Sequence, residues 1–391
     1  MRYRINELSK KKFWLLFLAI CLATLGLFTL FGCSGEGSKS SVESNPQILG
    51  SGVAWYDSDW PYRQEITIYS SITDSDLSDF PYMLKINDLT NELFANALSS
   101  GNDIIFTDAD GTTLLDHEIE RYDSNNCLLE AWIRIPTLSS VTHTVIYMYY
   151  GNNSIIFPSE YPPGVWGANY VLAYHLHDDF EDSAETSNAT NFGSTDDQGA
   201  IANGQLFNGV DQYLDTNWGS GAGEDLTSWT FSAWVKADSL PDSLGDEGII
   251  HMAVNGFLSW GHHNGNHRGA VTIKTTTGGW QGASFDIDLN DINEWVYLVG
   301  TFESGSLKAY KNGTLTDENN NATGDAYTYN VVNITIGRHA YETTANHFFQ
   351  GNIDEVRVSN VIRSPDWIKA TYRNQSLPND YQLLGLEEIY N

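Results

Sequence analysis

Two aspartates in a short alternating stretch have the arrangement that a glycosidase uses. Residues 285–291 read Phe-Asp-Ile-Asp-Leu-Asn-Asp, and a strand with this pattern places Asp286 and Asp288 on one face, roughly 6.5–7 Å apart. Two carboxylates at such a separation can flank a scissile glycosidic bond. The solvated face of an ordinary strand shows the same alternation. The pattern therefore leaves a catalytic pair and a solvated acidic face both open.

A second group of acidic and amide side chains has the oxygen donors that calcium prefers. The group runs from His177 to Asn188 and includes Asp182, and Asp354 follows much later in the chain. Calcium takes about six to eight oxygen ligands. Asp182, Asn188 and Asp354 are therefore candidate ligands of a structural Ca²⁺, and a solvated acidic loop is the alternative.

Two tryptophans have loop-like neighbours. Trp280 lies in Thr-Thr-Thr-Gly-Gly-Trp-Gln-Gly, and Trp218 lies in Thr-Asn-Trp-Gly-Ser-Gly. Glycines of this kind mark turns, where an indole has few local apolar partners. A flat indole suits the apolar face of a pyranose sugar and can donate one hydrogen bond. Both residues are predicted to bind a ligand, and a ring folded back over the core is the alternative for each.

Histidines are dense in residues 261–268, which read Gly-His-His-Asn-Gly-Asn-His-Arg. Imidazoles at this density can bind zinc or nickel. The stretch is rich in glycine and lies between two strand-like runs. An exposed hairpin loop is therefore the prediction for this segment.

We predict no catalytic residue in the chain.

The charge balance excludes polyanionic partners. The chain of 391 residues has 20 Lys and Arg against 50 Asp and Glu, which gives a formal net charge of −30. A surface with this charge repels nucleic acid and anionic membrane surfaces. Nucleic-acid binding is therefore excluded as a function class.

The N-terminus has the pattern of an export signal. A cationic patch precedes an almost wholly apolar run over residues 13–31, and Gly32 and Cys33 follow. A charged region, an apolar region and a small residue before the cleavage point are typical of such signals. The ending resembles a bacterial lipobox, which implies that Cys33 is acylated and becomes the mature N-terminus. An uncleaved anchor helix is the alternative.

The lipobox resemblance leads to predictions about location. Residues 1–33 are predicted to be the signal peptide, and the Gly/Ser-rich residues 34–52 a flexible tether. We expect a protein of the cell envelope, anchored to the membrane by lipid. If the cell has two membranes, the outer membrane or the cell surface is the expected location.

The remaining sequence predicts an all-β protein with two β-sandwich domains in series. Short alternating runs between turn signals fill residues 53–152, and Asp108-Ala-Asp-Gly makes a hairpin turn there. A Pro-rich linker over 153–165 leads to a larger second set of strands over 166–391. Two layers packed around a core are the simplest arrangement of each set.

The C-terminus is predicted to hold one short helix and a closing strand. The helix is expected at residues 364–373, because Ser364 can cap it and proline suits its first turn. A strand near residues 381–389 is expected to complete the second sandwich.

Four blocks in the first set resemble the family catalogued as domain of unknown function 2341 (DUF2341). The blocks are Trp60-Pro-Tyr-Arg-Gln-Glu-Ile-Thr-Ile, Asn102-Asp-Ile-Ile-Phe, Glu130-Ala-Trp-Ile-Arg-Ile-Pro and Ile146-Tyr-Met-Tyr-Tyr-Gly-Asn. The resemblance implies a bacterial or archaeal surface protein, with a lectin-like domain or a TolQ/ExbB-type proton channel as an associated component. It implies no catalytic residue.

Blocks of the second set follow the order of a LamG-like, concanavalin A-like jelly roll. They include Phe207-Asn-Gly-Val-Asp-Gln-Tyr-Leu, Trp229-Thr-Phe-Ser-Ala-Trp-Val-Lys, Trp295-Val-Tyr-Leu-Val-Gly-Thr-Phe and Phe349-Gln-Gly-Asn-Ile-Asp-Glu-Val-Arg-Val. The resemblance implies a lectin, an adhesion module or a hydrolase, and a Ca²⁺ near the sandwich rim. In the hydrolases the catalytic strand resembles Glu-x-Asp-x-x-Glu, whereas residues 286–291 carry aspartates at both glutamate positions.

The shortened carboxylates favour a protein that binds glycan without cleaving it. We therefore expect an exported, lipid-anchored, non-catalytic protein whose LamG-like domain binds a glycan or glycoprotein. A structural or adhesion scaffold of the cell envelope is one alternative. A glycan-cleaving hydrolase of the same fold is the other.

Overall fold

The computed structural model describes most of the chain after the predicted tether. The described residues are 52–167, 169–177, 179–218, 226–240, 246–252, 256–263, 266–326, 333–339 and 347–390. The predicted signal peptide, Cys33 and all of the tether except Gly52 lie outside them. Within these residues, none of the helices has the length and apolar character that crossing a membrane requires.

The first sandwich consists of two antiparallel sheets. Its strands are β1 (Tyr62–Ile68), β2 (Leu77–Ile86), β3 (Ile105–Asp108), β4 (Leu114–Leu115), β5 (His117–Asp123), β6 (Leu128–Leu138), β7 (Thr144–Tyr150) and, from the C-terminus, β23 (Gln382–Ile389). One sheet has the order β23-β1-β7-β3-β4, and the other has the order β2-β6-β5. Alternate apolar side chains of both sheets, such as Ile66, Tyr82 and Ile133, form the core between them.

The hairpin between β3 and β4 forms where the sequence predicts it. Gly111 has φ 76°, a left-handed conformation that glycine adopts without steric cost. The carboxylate of Asp110 accepts the backbone N–H groups of Thr112 and Thr113, each at 2.8 Å. The aspartate therefore closes its own turn, as such residues commonly do.

The second sandwich is larger and follows in sequence. Its strands are β8 (Tyr170–Tyr174), β9 (Thr190–Phe192), β10 (Thr195–Gln198), β11 (Asn203–Asn208), β12 (Tyr213–Asp215), β13 (Trp229–Ala237), β14 (Asp246–Met252), β15 (Gly256–His263), β16 (Asn266–Thr275), β17 (Gly279–Asp286), β18 (Val296–Glu303), β19 (Ser306–Lys311), β20 (Thr314–Asn319), β21 (Thr335–Ile336) and β22 (Gln350–Ser359). One sheet runs β10-β11-β22-β13-β18-β19-β20, with β8 also paired to β22, and the other runs β17-β16-β15-β14-β21-β12-β9. A large apolar core separates them, and the predicted all-β class with a jelly-roll second sandwich is confirmed.

Three short helices complete the described fold. They are α1 (Leu93–Asn96), α2 (Pro162–Val165) and α3 (Pro365–Ser376). The predicted C-terminal helix is confirmed as α3, and the Ser364 side chain caps it by accepting the Trp367 N–H at 3.1 Å. The cap supplies one of the hydrogen bonds that the first turn of a helix lacks.

Helix α3 lies between the sandwiches and contacts both. Trp367 belongs to the core of the first sandwich, and Ile368 packs in a cluster of the second. Asn374, which is fully buried, accepts the Met83 N–H at 2.7 Å and donates to the Met83 carbonyl at 2.9 Å. The helix therefore ties an edge strand of the first sandwich to the second.

The C-terminal strand β23 is present, but its partner differs from the prediction. It pairs antiparallel with β1 of the first sandwich, from Tyr62 opposite Ile389 to Ile68 opposite Gln382. The expectation that this strand closes the second sandwich is wrong. Side chains also interact across this pair, where the buried guanidinium of Arg63 lies 2.7 Å from the Glu388 carboxylate.

A small apolar cluster joins the two sandwiches directly. It combines Met83 and Trp132 of the first sandwich, Trp166 after α2, and Ala173 and Ile201 of the second. The predicted linker therefore leads into a packed junction, in which the Trp132 and Trp166 rings meet edge to face at 5.3 Å.

Candidate functional site

A buried charged cluster lies where the two sandwiches meet. Strand β5 of the first sandwich contributes Glu118 and Glu120, the residue after β8 contributes His175, and β22 contributes Glu355 and Arg357. The pairing of β5 with β6 shifts register between Ile119 and Arg121, which places Glu120 at an irregularity of the strand. Both glutamates nevertheless reach His175, and the five residues form one ion-paired group.

The His175 ring is the centre of this cluster. Its Nδ1 atom lies 2.7 Å from Glu355 Oε1 and 3.4 Å from Glu120 Oε2. Its Nε2 atom lies 3.2 Å from Glu118 Oε2. One nitrogen therefore faces two carboxyl groups, and the other faces a third.

Indole and hydroxyl donors hold the two glutamates of β5. Glu118 accepts the Trp166 Nε1–H at 2.5 Å and the Ser183 hydroxyl at 2.6 Å. Glu120 accepts the Trp132 Nε1–H at 2.7 Å through Oε2. Its other oxygen is buried and has no hydrogen-bond partner among the described residues.

Arg357 supplies a second positive charge to the cluster. Its guanidinium pairs with the Glu355 carboxylate, and its central carbon lies 4.4 Å from the centroids of the Trp132 and Trp166 rings. A cation against two indole faces, away from water, is a favourable arrangement.

Burial and the neighbouring charges shift the pKa values of these groups. Burial, then the negative charge of Glu355, raises the pKa of Glu120 to about 8. Burial opposes the charge of His175, but the attraction of Glu355, Glu118 and Glu120 outweighs it and raises the His175 pKa well above its usual value. Burial also tends to raise the Glu118 pKa, but the charge of His175 outweighs this effect and lowers it. Burial therefore favours the neutral form of Glu120, whereas the surrounding carboxylates favour the charged form of His175.

A cleft of about 260 Å³ opens from the cluster to the surface. Its inner wall includes Glu118, Glu120 and His175. Its rim is acidic, and the rim residues are Glu160, His177, Asp179, Glu181, Asp182 and Glu185. The cleft thus presents concentrated negative charge, which attracts cations.

The residues named for calcium are engaged in hydrogen bonds with the backbone. Asp182 Oδ1 accepts the N–H groups of Ala173 at 2.8 Å and Ala184 at 3.1 Å. Asp182 Oδ2 accepts two more, from Thr186 and Ser187, each at 3.0 Å. A carboxylate has about four acceptor positions, so Asp182 as placed does not fit a calcium ligand.

The other two candidate calcium ligands have similar roles. Asn188 accepts the Asp182 N–H at 2.9 Å. Asp354 is fully buried and accepts the Ile201 N–H at 2.9 Å and the Glu355 N–H at 2.8 Å. Calcium binding by the chain stays a prediction, but these side chains already serve the fold.

Asp286 and Asp288 do not lie on one continuous strand. Strand β17 ends at Asp286, and Asp288 caps a 3₁₀ turn over Leu289–Asp291. Asp288 accepts the Asn290 N–H at 2.7 Å, while Asp291 accepts the Asp288 N–H at 2.8 Å. The interpretation of residues 285–289 as one continuous strand is wrong, because the capping box turns the chain after Asp286.

The two candidate tryptophans have opposite environments. Trp280 is 54% exposed, near the start of the edge strand β17. Trp218 is only 7% exposed and packs in the core of the second sandwich. The prediction that Trp218 contacts a ligand is wrong, because its ring faces the core. Trp280 as a ligand-binding residue stays a prediction.

The histidine-rich segment forms part of an antiparallel pair. Strands β15 and β16 pair from Phe257 opposite Thr272 to His263 opposite Asn266. Residues 264–265 lie outside the described residues. The antiparallel pairing agrees with a hairpin, but residues 261–263 and 266–268 belong to its strands rather than to a loop, and the exposure of the segment stays a prediction.

Sequence reasoning did not select Glu118, Glu120 and His175. The run His-Glu-Ile-Glu-Arg-Tyr in β5 has the alternation of a strand with one wet face. The sequence signal for this site is a histidine directly after the apolar strand β8, but its three acidic partners come from distant parts of the chain.

Family comparisons agree with the two-part architecture. Residues 208–369 match the family model described as Concanavalin A-like lectin/glucanases superfamily. Residues 100–191 match the one described as Domain of unknown function (DUF2341). The chain carries a DUF2341 region followed by a concanavalin A-like domain. The DUF2341 match includes Glu118, Glu120 and His175, so the cluster lies at the border between the two.

Several solved structures are similar to about half of the chain. Domain 4 of AbnA, a GH43 extracellular arabinanase from Geobacillus stearothermophilus, in complex with arabinotriose, is 19% identical with a TM-score of 0.42, over 52% of this chain and 97% of that one. The binding domain of Paraclostridial Mosquitocidal Protein 1 is 13% identical with a TM-score of 0.42, over 53% and 52%. The receptor binding domain of botulinum neurotoxin D is 17% identical with a TM-score of 0.41, over 53% of each chain. No curated protein matches the sequence.

Proposed function

We propose that this protein binds glycan or glycoprotein through its concanavalin A-like domain, without cleaving it, at the cell envelope. The observation that carries the proposal is the exposed Trp280 ring on the outer strand of the seven-stranded sheet. The matched family is itself described by lectins and glucanases. Function depends on the site rather than the fold, so the exposed Trp280 ring is the main support for glycan binding.

The surroundings of Trp280 suit the recognition of a sugar. Its ring centroid lies 6.1 Å from that of Phe257, in an edge-to-face arrangement. The ammonium of Lys274, directly opposite on β16, lies 5.9 Å from the Trp280 ring. An apolar face beside a hydrogen-bond donor matches a pyranose, which has both an apolar face and hydroxyl groups.

Replacing Trp280 with alanine is expected to weaken glycan binding at least about tenfold, or about 1.4 kcal/mol, without changing the melting temperature. The ring is half exposed, so its loss leaves little cavity in the core. A glycan array with the full chain identifies a ligand, and titration of that ligand into wild type and variant measures the loss. Reducing-sugar release from the same ligand is expected to stay at background.

Phe192→Ala is the matched control for the Trp280 variant. Phe192 is 45% exposed and lies on β9, at the opposite edge of the same sheet. Its removal is expected to leave glycan binding unchanged. A Trp280→Ala protein that binds like wild type, or that melts several degrees lower, would contradict a stacking role.

Lipid anchoring at Cys33 is the second part of the proposal, and it comes from the sequence of residues 13–33. Metabolic labelling with a fatty acid is expected to mark the wild-type protein and to leave Cys33→Ser unlabelled. The same substitution is expected to release the protein from the membrane fraction. Equal labelling of both proteins would refute the anchor. A TolQ/ExbB-type partner stays a prediction from the family resemblance.

A further inference from the structure

We propose that Glu120, His175 and Glu355 form a binding site for one divalent transition-metal ion at the junction of the two sandwiches. A donor atom from each side chain lies within 4.8 Å of the other two. The residues come from β5, the end of β8 and β22. Among the described residues, no other group of three or more His, Cys, Asp and Glu side chains has this spacing.

The distances within the set suit a small ion. Metal-to-ligand distances of about 2.0–2.2 Å place neighbouring ligands of a tetrahedral ion about 3.3–3.5 Å apart. His175 Nδ1 lies 3.4 Å from Glu120 Oε2 and 2.7 Å from Glu355 Oε1. The first distance already fits such an ion, whereas the second must lengthen by less than about 1 Å to admit it.

The other ring nitrogen of His175 is placed as it is in a metal-bound histidine. If Nδ1 holds the ion, the Nε2–H group points at Glu118 Oε2, 3.2 Å away. Ligating histidines commonly donate their other N–H to a carboxylate, which fixes the ring and its tautomer. Glu118 is itself held by Trp166 and Ser183, so it can act as this orienting group.

Glu120 gives a separate reason to expect a ligand. Its side chain is only 2% exposed, and its Oε1 atom has no hydrogen-bond partner among the described residues. A buried polar atom without a partner destabilises the folded state. A bound cation would satisfy this carboxyl group.

The donor types and the access route define the kind of ion. One imidazole and two carboxylates suit zinc and its neighbours, whereas calcium prefers about six to eight oxygen ligands. The cleft of about 260 Å³ reaches Glu120 and His175 from the surface. Its acidic rim would concentrate cations at the opening.

Zinc binding to the full chain tests this site. After treatment with a chelator and gel filtration, the wild-type protein is expected to take up one Zn²⁺ per chain by titration calorimetry. Co²⁺ at the same site is expected to show visible absorption typical of an imidazole and carboxylate set. Glu120→Gln keeps the side-chain shape and an acceptor for Trp132, and it is expected to weaken zinc binding by at least about 10–100-fold.

Two further variants make the result specific. Glu118→Gln is expected to weaken zinc binding by about 10–100-fold, because Glu118 orients His175. Glu181 lies at the exposed rim of the same cleft. Glu181→Gln is therefore expected to bind zinc like wild type. Zinc is also expected to raise the melting temperature of wild type and Glu181→Gln far more than that of Glu120→Gln, because it binds the folded state. Absence of zinc uptake would overturn the proposal. Equal uptake by Glu120→Gln would overturn it too, and would assign the metal to other groups such as the histidine-rich residues 261–268.

Discussion

Replacing Arg357 with alanine is expected to lower the free energy of unfolding by about 3–5 kcal/mol. The guanidinium lies 4.4 Å from the centroids of the Trp132 and Trp166 rings and pairs with Glu355, which is fully buried. Its removal leaves a buried carboxylate with one cation fewer and a cavity beside two indoles. Chemical denaturation followed by tryptophan fluorescence measures the loss.

Two other variants separate the causes. Arg357→Met keeps an apolar stem against the two rings, so the difference from Arg357→Ala reports the packing contribution. Arg134→Ala removes a half-exposed arginine that pairs with Asp116 at 2.6 Å and Asp79 at 2.8 Å, and exposed pairs of this kind contribute about 0–1 kcal/mol. Equal losses for Arg357→Ala and Arg134→Ala would mean that the junction does not depend on the buried charge.

Removing residues 382–391 is expected to abolish cooperative folding of the first sandwich, although these residues lie far from it in sequence. Strand β23 covers the edge of β1, and its loss leaves unpaired backbone groups along that strand. The deletion also removes Glu388 from Arg63 and Glu387 from the Tyr150 hydroxyl. We expect a loss of more than about 5 kcal/mol, comparable to the whole stability of a domain.

Size-exclusion chromatography and thermal melting test the deletion. A chain that ends after Tyr390 keeps all of β23 and is the matched control, and it is expected to melt like wild type. The shorter chain is expected to aggregate or to lack the transition of the first sandwich. A shortened chain that melts within a few degrees of the control would show that β1 does not need β23.

The two sandwiches of the molecule are not independent of each other. Helix α3 inserts Trp367 into one core and Ile368 into the cluster of the other. Strand β23 then returns to the first sandwich. A ligand held in the cleft between them would therefore contact residues from both parts.

Short-range features were predictable because their causes are local. The Asp110-Gly111 turn follows from a left-handed glycine and an aspartate that bonds to nearby backbone. The start of α3 follows from Ser364 and Pro365. Strand positions follow from the alternation of apolar residues, which has the same period wherever the strand lies.

The candidate site was less predictable, because exposure depends on distant residues. Trp218 and Trp280 have similar glycine-rich neighbours, yet one packs in the core and the other is 54% exposed. Asp286 and Asp288 alternate as they would in a strand, yet Asp288 forms a capping box with Asp291. A sequence of a few residues cannot distinguish these outcomes.

The sequence by itself determined the all-β class, the two successive strand sets, the C-terminal helix and the excess of negative charge, because propensity, period and composition are properties of short segments. Only the tertiary structure decided that β23 pairs with β1 and that Glu118, Glu120, His175 and Glu355 meet in a buried cluster. The separation of these residues along the chain explains why: Glu120 belongs to β5 of the first sandwich, whereas Glu355 belongs to β22 of the second. Their proximity depends on how two sandwiches pack face to face, and that packing is set by all of their contacts together rather than by any local pattern.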